Sequence, residues 1–113
     1  MLVNWIEKRK SPRINLKVPL HYQVRGMPEI NSVVSGDISV SGVGFVNDKF
    51  IVPNNYLKLQ INLLPEVVSL SGRVVRADSL RSSDRFRIGV EFVEMEYSQK
   101  QALSDFISKR TGS

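Results

Sequence analysis

Cysteine is absent from this 113-residue chain, and histidine occurs once, at His21. The first absence removes a disulfide framework, a thiolate metal site and a cysteine nucleophile; the second removes any zinc site built from histidine and cysteine. A chain without cysteine suits a reducing, cytoplasmic setting. Long apolar runs are missing too. The start, Met1-Leu2-Val3-Asn4-Trp5-Ile6-Glu7, carries no basic segment ahead of an apolar stretch, so neither a signal peptide nor a membrane span is expected and the protein reads as soluble. Acidic residues stand singly, and His21 has no carboxylate neighbour in sequence. No acid–base pair or nucleophilic triad follows from such spacings, so neither an enzyme nor a bound cofactor is expected.

What is present is a single domain's worth of alternating strands with one basic end. A chain of this length buries about two thirds of its unfolded surface around one core, with no room for a second catalytic or output domain. Its formal charge of +5 is unevenly placed: Lys8, Arg9, Lys10, Arg13 and Lys17 stand against Glu7 alone in the first seventeen residues. One basic arm on a nearly neutral body points to a local anion site, whereas a nucleic-acid binder would be basic more widely. A solvated tail is the competing explanation for the arm.

Residues 1–13 read as that arm. Pro12 donates no hydrogen bond and pushes Ser11 toward extended backbone, so a helix begun at Asn4 ends before it; Trp5 and Ile6 have no periodic partner. From Ile14 to Val24 apolar residues occupy every second position, the mark of a half-buried strand over residues 14–25, with Pro19 and His21 on the outward phase. Turn residues 25–29 lead to a returning strand over residues 30–39, with Gly36 at a bulge. A short strand from Ser41 to Val46 follows. Further alternation covers residues 57–63, a long strand through Val68, Leu70, Gly72 and Val74 that bends at Gly72, and residues 86–92. Tyr22, Phe86 and Phe92 fall on inward phases with the aliphatic residues.

The last element is a helix over about residues 98–110. Ser98 and Gln101 have the spacing of a capping box, and Ala102, Leu103, Phe106 and Ile107 share one face. No strand–helix–strand spacing occurs. The expected fold is therefore all-β with a terminal helix: about six antiparallel strands closed into a small barrel, the helix covering an opening.

Two short motifs carry the chemistry. Arg9 and Arg13, four apart, offer two planar guanidinium forks, each able to grip a phosphate or the O6/N7 edge of guanine. Asp37-Ile38-Ser39-Val40-Ser41-Gly42 supplies the complement: Asp37 accepts the N1 and N2 hydrogens of guanine, Ser39 donates to phosphate, and Gly42 lets backbone approach a ligand. Together they describe a pocket for guanine plus phosphate. The Arg-x-x-x-Arg spacing is weak by itself, since Arg81 and Arg85 repeat it.

This pair of motifs resembles the PilZ domain, a bacterial receptor for cyclic di-GMP, whose pattern is Arg-x-x-x-Arg followed by Asp/Asn-x-Ser-x-x-Gly. Residues 71–76 and 87–92 resemble the family's late strands, so the likeness covers nearly the whole chain. It implies a PilZ-type barrel over residues 14–113 and a cyclic di-GMP site formed by Arg9, Arg13, Asp37, Ser39 and Gly42, with Lys8 adding charge. It also implies a downstream protein partner that reads the ligand-ordered arm.

Two other functions compete at this level. A ligand-independent protein-interaction barrel would be expected to lack both motifs. A single-stranded nucleic-acid barrel gains some support from Gly42-Val43-Gly44-Phe45-Val46, which is similar to the core of an RNA-recognition motif. There, however, Ser41 stands where a basic residue belongs and Val43 where a stacking aromatic belongs.

Overall fold

In the computed structural model, which describes residues 13–111, six strands and one helix follow in chain order: β1 (Pro19–Val24), β2 (Asn31–Ile38), β3 (Gly42–Asn47), β4 (Tyr56–Asn62), β5 (Val67–Ser79), β6 (Phe86–Glu94) and α1 (Tyr97–Thr111). The strands close into a barrel in the order β1-β2-β3-β6-β5-β4, and every neighbouring pair is antiparallel. Closure leaves β3 between β2 and β6, so residues distant in sequence share one outer face. The expected helix at Asn4 and the arm's first twelve residues lie outside the described residues.

Alternation produces the core. Leu20, Ile38, Phe45, Leu57, Leu59, Ile61 and Ile88 point inward and are essentially inaccessible. Tyr22 joins them, its ring stacked on Phe45 at 5.5 Å, while Phe86 and Phe92 are half-buried against the same cluster. Burial pushes the Tyr22 hydroxyl above its ordinary value, opposed by a hydrogen bond with Asn47, so the phenol stays protonated in the core.

The first strand differs from the expected one. The inward phase runs unbroken from Ile14, but regular pairing begins only at Pro19. Before it, Ile14 exchanges two backbone hydrogen bonds with Ile38 as an isolated bridge. Between bridge and strand, the buried Ser35 hydroxyl accepts a hydrogen bond from the Val18 N–H (2.9 Å) and donates one to the Leu16 carbonyl. A side chain thus stands in for a ladder rung.

Glycines fall where the sheet must bend or crowd. Gly36 is the extra residue between Ser35, opposite Phe45, and Asp37, opposite Gly44, which is the expected bulge. At Gly72 the β5–β6 register also shifts, and a Cβ there would meet the Val90 and Leu59 side chains in the core.

The helix starts one residue early, at Tyr97. Ser98 therefore lies in the first turn rather than at its cap; Glu96 holds that place, its carbonyl accepting from the Lys100 N–H, and Gln101 instead donates to Asp105. The expected capping box does not form. What anchors the helix start is Gln99, whose side-chain oxygen accepts the Ser69 N–H of β5 at 2.7 Å. The expected apolar face is correct: Leu103, Phe106 and Ile107 are buried in the barrel's core cluster.

Ser35→Ala should cost about 1–3 kcal/mol, because it leaves the Val18 N–H and Leu16 carbonyl without their bridge. Urea unfolding measures this; a change within about 0.5 kcal/mol, the size usual for a surface substitution, would mean that the bridge carries no weight.

Candidate ligand-binding site on the outer face of the barrel

The site begins where chain entering from the N-terminal side meets the end of β2. The Ile14–Ile38 bridge fixes the backbone on both sides, and next to it the Arg13 Nη1 donates to Asp37 Oδ2 at 3.1 Å. Both side chains keep access to solvent, 53% for Arg13 and 33% for Asp37. A pair this exposed contributes at most about 1 kcal/mol to stability and opens readily for a competing ligand. Arg13 and Asp37, twenty-four positions apart, are therefore brought together as the motifs imply. Lys8 and Arg9 lie outside the described residues.

Asp37 is positioned by an absence. It faces Gly44 across the β2–β3 ladder, and a Cβ on Gly44 would fall on Asp37 Oδ1. The carboxylate thus lies over β3, one oxygen toward Arg13 and the other above the Gly44 backbone. That leaves an acceptor pair on an open surface, the arrangement that two adjacent N–H donors require.

Ser39 has a different place from that of a solvent-facing donor. It is wholly buried, and its hydroxyl accepts the N–H groups of Ser41 (3.1 Å) and Gly42 (3.2 Å) while its own N–H donates to the Gly42 carbonyl at 2.9 Å. In this geometry Ser39 ties the turn between β2 and β3. The exposed hydroxyl is that of Ser41, 3.1 Å from Ser39 Oγ. Gly42 likewise serves packing: opposite Glu91 of β6, its missing Cβ makes room for the Val90 carbonyl. Positive φ is not its role, since Gly26 alone among the described glycines adopts it.

Sequence spacing does not foresee how the face continues. Gly44 also opposes Gly89 of β6, and Gly89 opposes Arg76 of β5. Asp37, Gly44, Gly89 and Arg76 thus form one row across four strands. The Arg76 stem runs beside Gly89, and its Nε donates to Asp78 Oδ2 at 3.1 Å. Two charged side chains of opposite sign flank a strip of bare backbone. Only the strand order reveals this row, because its two halves come from separate hairpins, β2–β3 and β5–β6. Among the described residues no cluster of three or more His, Cys, Asp or Glu residues suits a metal, and no helix is long and apolar enough to cross a membrane.

Residues 7–109 of the chain match one family model, the PilZ domain. The chain belongs to the PilZ domain family. Among solved structures it is similar to the Bacillus subtilis inhibitor of motility, MotI/DgrA, with a TM-score of 0.80 and 22% identity over 91% of this chain and 51% of that one. It is also similar to the PilZ domain with c-di-GMP of YcgR from Escherichia coli (TM-score 0.73, 11% identity, covering 93% and 94%). A third is the K. pneumonia MrkH–c-di-GMP complex (TM-score 0.71, 16% identity, covering 91% and 52%). The chain spans about half the length of the MotI and MrkH chains. No curated protein matches it by sequence.

Gly42→Ala should destabilise the fold by about 1–3 kcal/mol, since the added methyl meets backbone rather than a movable side chain. Ser41→Ala, exposed one position earlier, should stay within about 0.5 kcal/mol. Equal unfolding midpoints for the two variants would contradict the packing role given to Gly42.

Proposed function

We propose that this protein is a bacterial receptor for cyclic di-GMP, which binds on the outer face of the barrel around Asp37 and passes the signal to a protein partner. The observation that carries the reading is the Arg13–Asp37 pair, with one carboxylate oxygen held over the Gly44 backbone. It is supported by family membership and by structural neighbours described in complex with c-di-GMP.

In this reading a guanine donates N1–H and N2–H to Asp37, and Arg13 leaves the carboxylate to take the O6/N7 edge or a phosphate. Arg9, with Lys8 beside it, brings the second guanidinium from the arm, which orders over the barrel as it binds. Gly42 and Ser39 hold the β2–β3 turn at the phosphate side, and Ser41 presents its hydroxyl there. Charge-assisted contacts contribute about 1.5–3 kcal/mol each. Two or three of them, less the cost of ordering the arm, correspond to an affinity near −8 kcal/mol, about micromolar.

The domain division follows the same logic: residues 1–13 are the ligand-responsive arm and residues 14–113 the barrel. The ordered arm and ligand-covered face are the surface a partner reads, in keeping with a structural neighbour named as an inhibitor of motility. The setting is the bacterial cytoplasm, and the role is that of an adaptor rather than an enzyme.

Calorimetric titration with cyclic di-GMP at near-physiological salt tests this, with cyclic di-AMP, GMP and a short single-stranded RNA alongside. Micromolar or tighter binding selective for cyclic di-GMP is expected, weakened about tenfold or more by Arg13→Ala or Asp37→Ala. Wild-type affinity in Arg13→Ala would remove that residue from the site. Absence of binding to cyclic di-GMP would bring forward the ligand-independent interaction barrel, and preference for the RNA the nucleic-acid barrel.

A further inference from the structure

β5 is the longest strand of the barrel, and its end is paired on one side only. β4 begins at Tyr56, opposite Arg73, and the loop before it extends the cover by one residue: the Asn54 N–H donates to the Val74 carbonyl, and the Val74 N–H to the Asn55 carbonyl. Beyond Val74 the ladder continues with β6 alone, as Arg76, Ala77, Asp78 and Ser79 face Gly89, Ile88, Arg87 and Phe86. Among the described residues no strand lies on the other side of this stretch. The closed barrel thus keeps one open edge.

Ladder alternation fixes what this edge offers. The Leu80 N–H donates to the Arg85 carbonyl across the β5–β6 hairpin, so Asp78 also turns its backbone groups toward β6, while Ser79 and Ala77 turn theirs away from it. Such an edge is a template for another chain, and charged side chains are a common means of blunting it. Against a second copy of this chain the blunting fails. Arg76 and Asp78 stand one position either side of Ala77, exposed at 66% and 62%, and their charges are opposite. When two such edges meet antiparallel about a two-fold axis at Ala77, each Arg76 falls opposite Asp78 of the other copy. Like charges there would repel a copy; these attract one. Apolar area lies beside them, since Val75 at the bulge is 48% exposed and Val52, in the loop that reaches Val74, 57%.

We infer that this protein self-associates through the end of β5: two copies pair edge to edge about Ala77, exchanging two Ala77 N–H···O=C bonds and two Arg76–Asp78 ion pairs. Each copy gives up its internal Arg76–Asp78 contact, which is largely solvated, at little cost. The contact is isologous, so it closes on itself and stops at two copies. Its small size, below the about 1,200 Å² of a standard interface, makes the dimer weak and concentration-dependent. The inference stands apart from the receptor reading, because neither a ligand nor either motif takes part.

Sedimentation velocity of the full chain without ligand, from about 1 μM to about 1 mM, tests it. Wild type should pass from monomer toward dimer across this range. Arg76→Asp or Asp78→Arg sets like charges opposite each other and should weaken the dimer about tenfold or more; the two combined restore opposite charges with their places exchanged and should return it to within about threefold. Thermal unfolding midpoints check that these exposed substitutions keep the fold. Amide exchange reads the edge itself: the Ala77 N–H should exchange severalfold more slowly at the dimeric end of the range. A wild-type chain monomeric at every concentration would overturn the inference. So would a dimer indifferent to both single substitutions, a double variant as weak as the singles, or an Ala77 exchange rate independent of concentration.

Discussion

At β3 the barrel brings backbone against backbone. Gly42 lies against the Val90 carbonyl, and two residues later Gly44 lies under the Asp37 carboxylate. Any side chain at the first position separates β3 from β6; any at the second lifts Asp37 off the sheet. The same close approach therefore closes the barrel and opens its outer face. Ser39 serves both ends of this arrangement, since its buried hydroxyl takes the two N–H groups through which the chain turns from β2 into β3.

Around that constraint the site is weakly held. The exposed Arg13–Asp37 pair adds little to folding, and the Arg76–Asp78 pair adds less. Stability lies instead in the inward phase, from Leu20 and Ile38 to Ile88, and in the helix face of Leu103, Phe106 and Ile107 packed into the same cluster. Division of labour of this kind suits a receptor. In the proposed receptor, Arg13 and Asp37 would exchange partners without disturbing the core, and the cost of opening their pair is small beside a charge-assisted contact to guanine or phosphate.

Much of this was legible from residue order. Period-two alternation located β1, β4, β5 and β6 and assigned Tyr22 to the core, because burial on one face of a sheet imposes that pattern whatever the topology, while turn residues and glycines placed the less regular β2 and the short β3. Gly36 and Gly72, the expected bulge and bend, sit at register shifts. Other features depend on contacts between distant segments. Residues 14–18 alternate as a strand does, yet the Ser35 hydroxyl replaces a backbone rung there, a substitution that periodicity does not register. Ser98 has the spacing of a cap, but docking of Gln99 on the Ser69 N–H accompanies an earlier start to the helix. Within the site, motif spacing joined Arg13 to Asp37, while the row of Asp37, Gly44, Gly89 and Arg76 emerges only when β2, β3, β6 and β5 lie side by side. A serine in a ligand motif reads as a donor to ligand; buried in a turn, Ser39 is engaged by backbone instead.

In the proposed receptor, cyclic di-GMP occupies the outer face centred on Asp37. Mapping backbone amide chemical shifts of the isotope-labelled protein, with and without this ligand, tests it most directly. The largest changes are expected at Asp37, Ser41, Gly42, Gly44 and Gly89, with His21, Lys58 and Gln60 on the opposite strands unmoved. Shifts confined to those β1 and β4 residues, or none at saturating ligand, would contradict it.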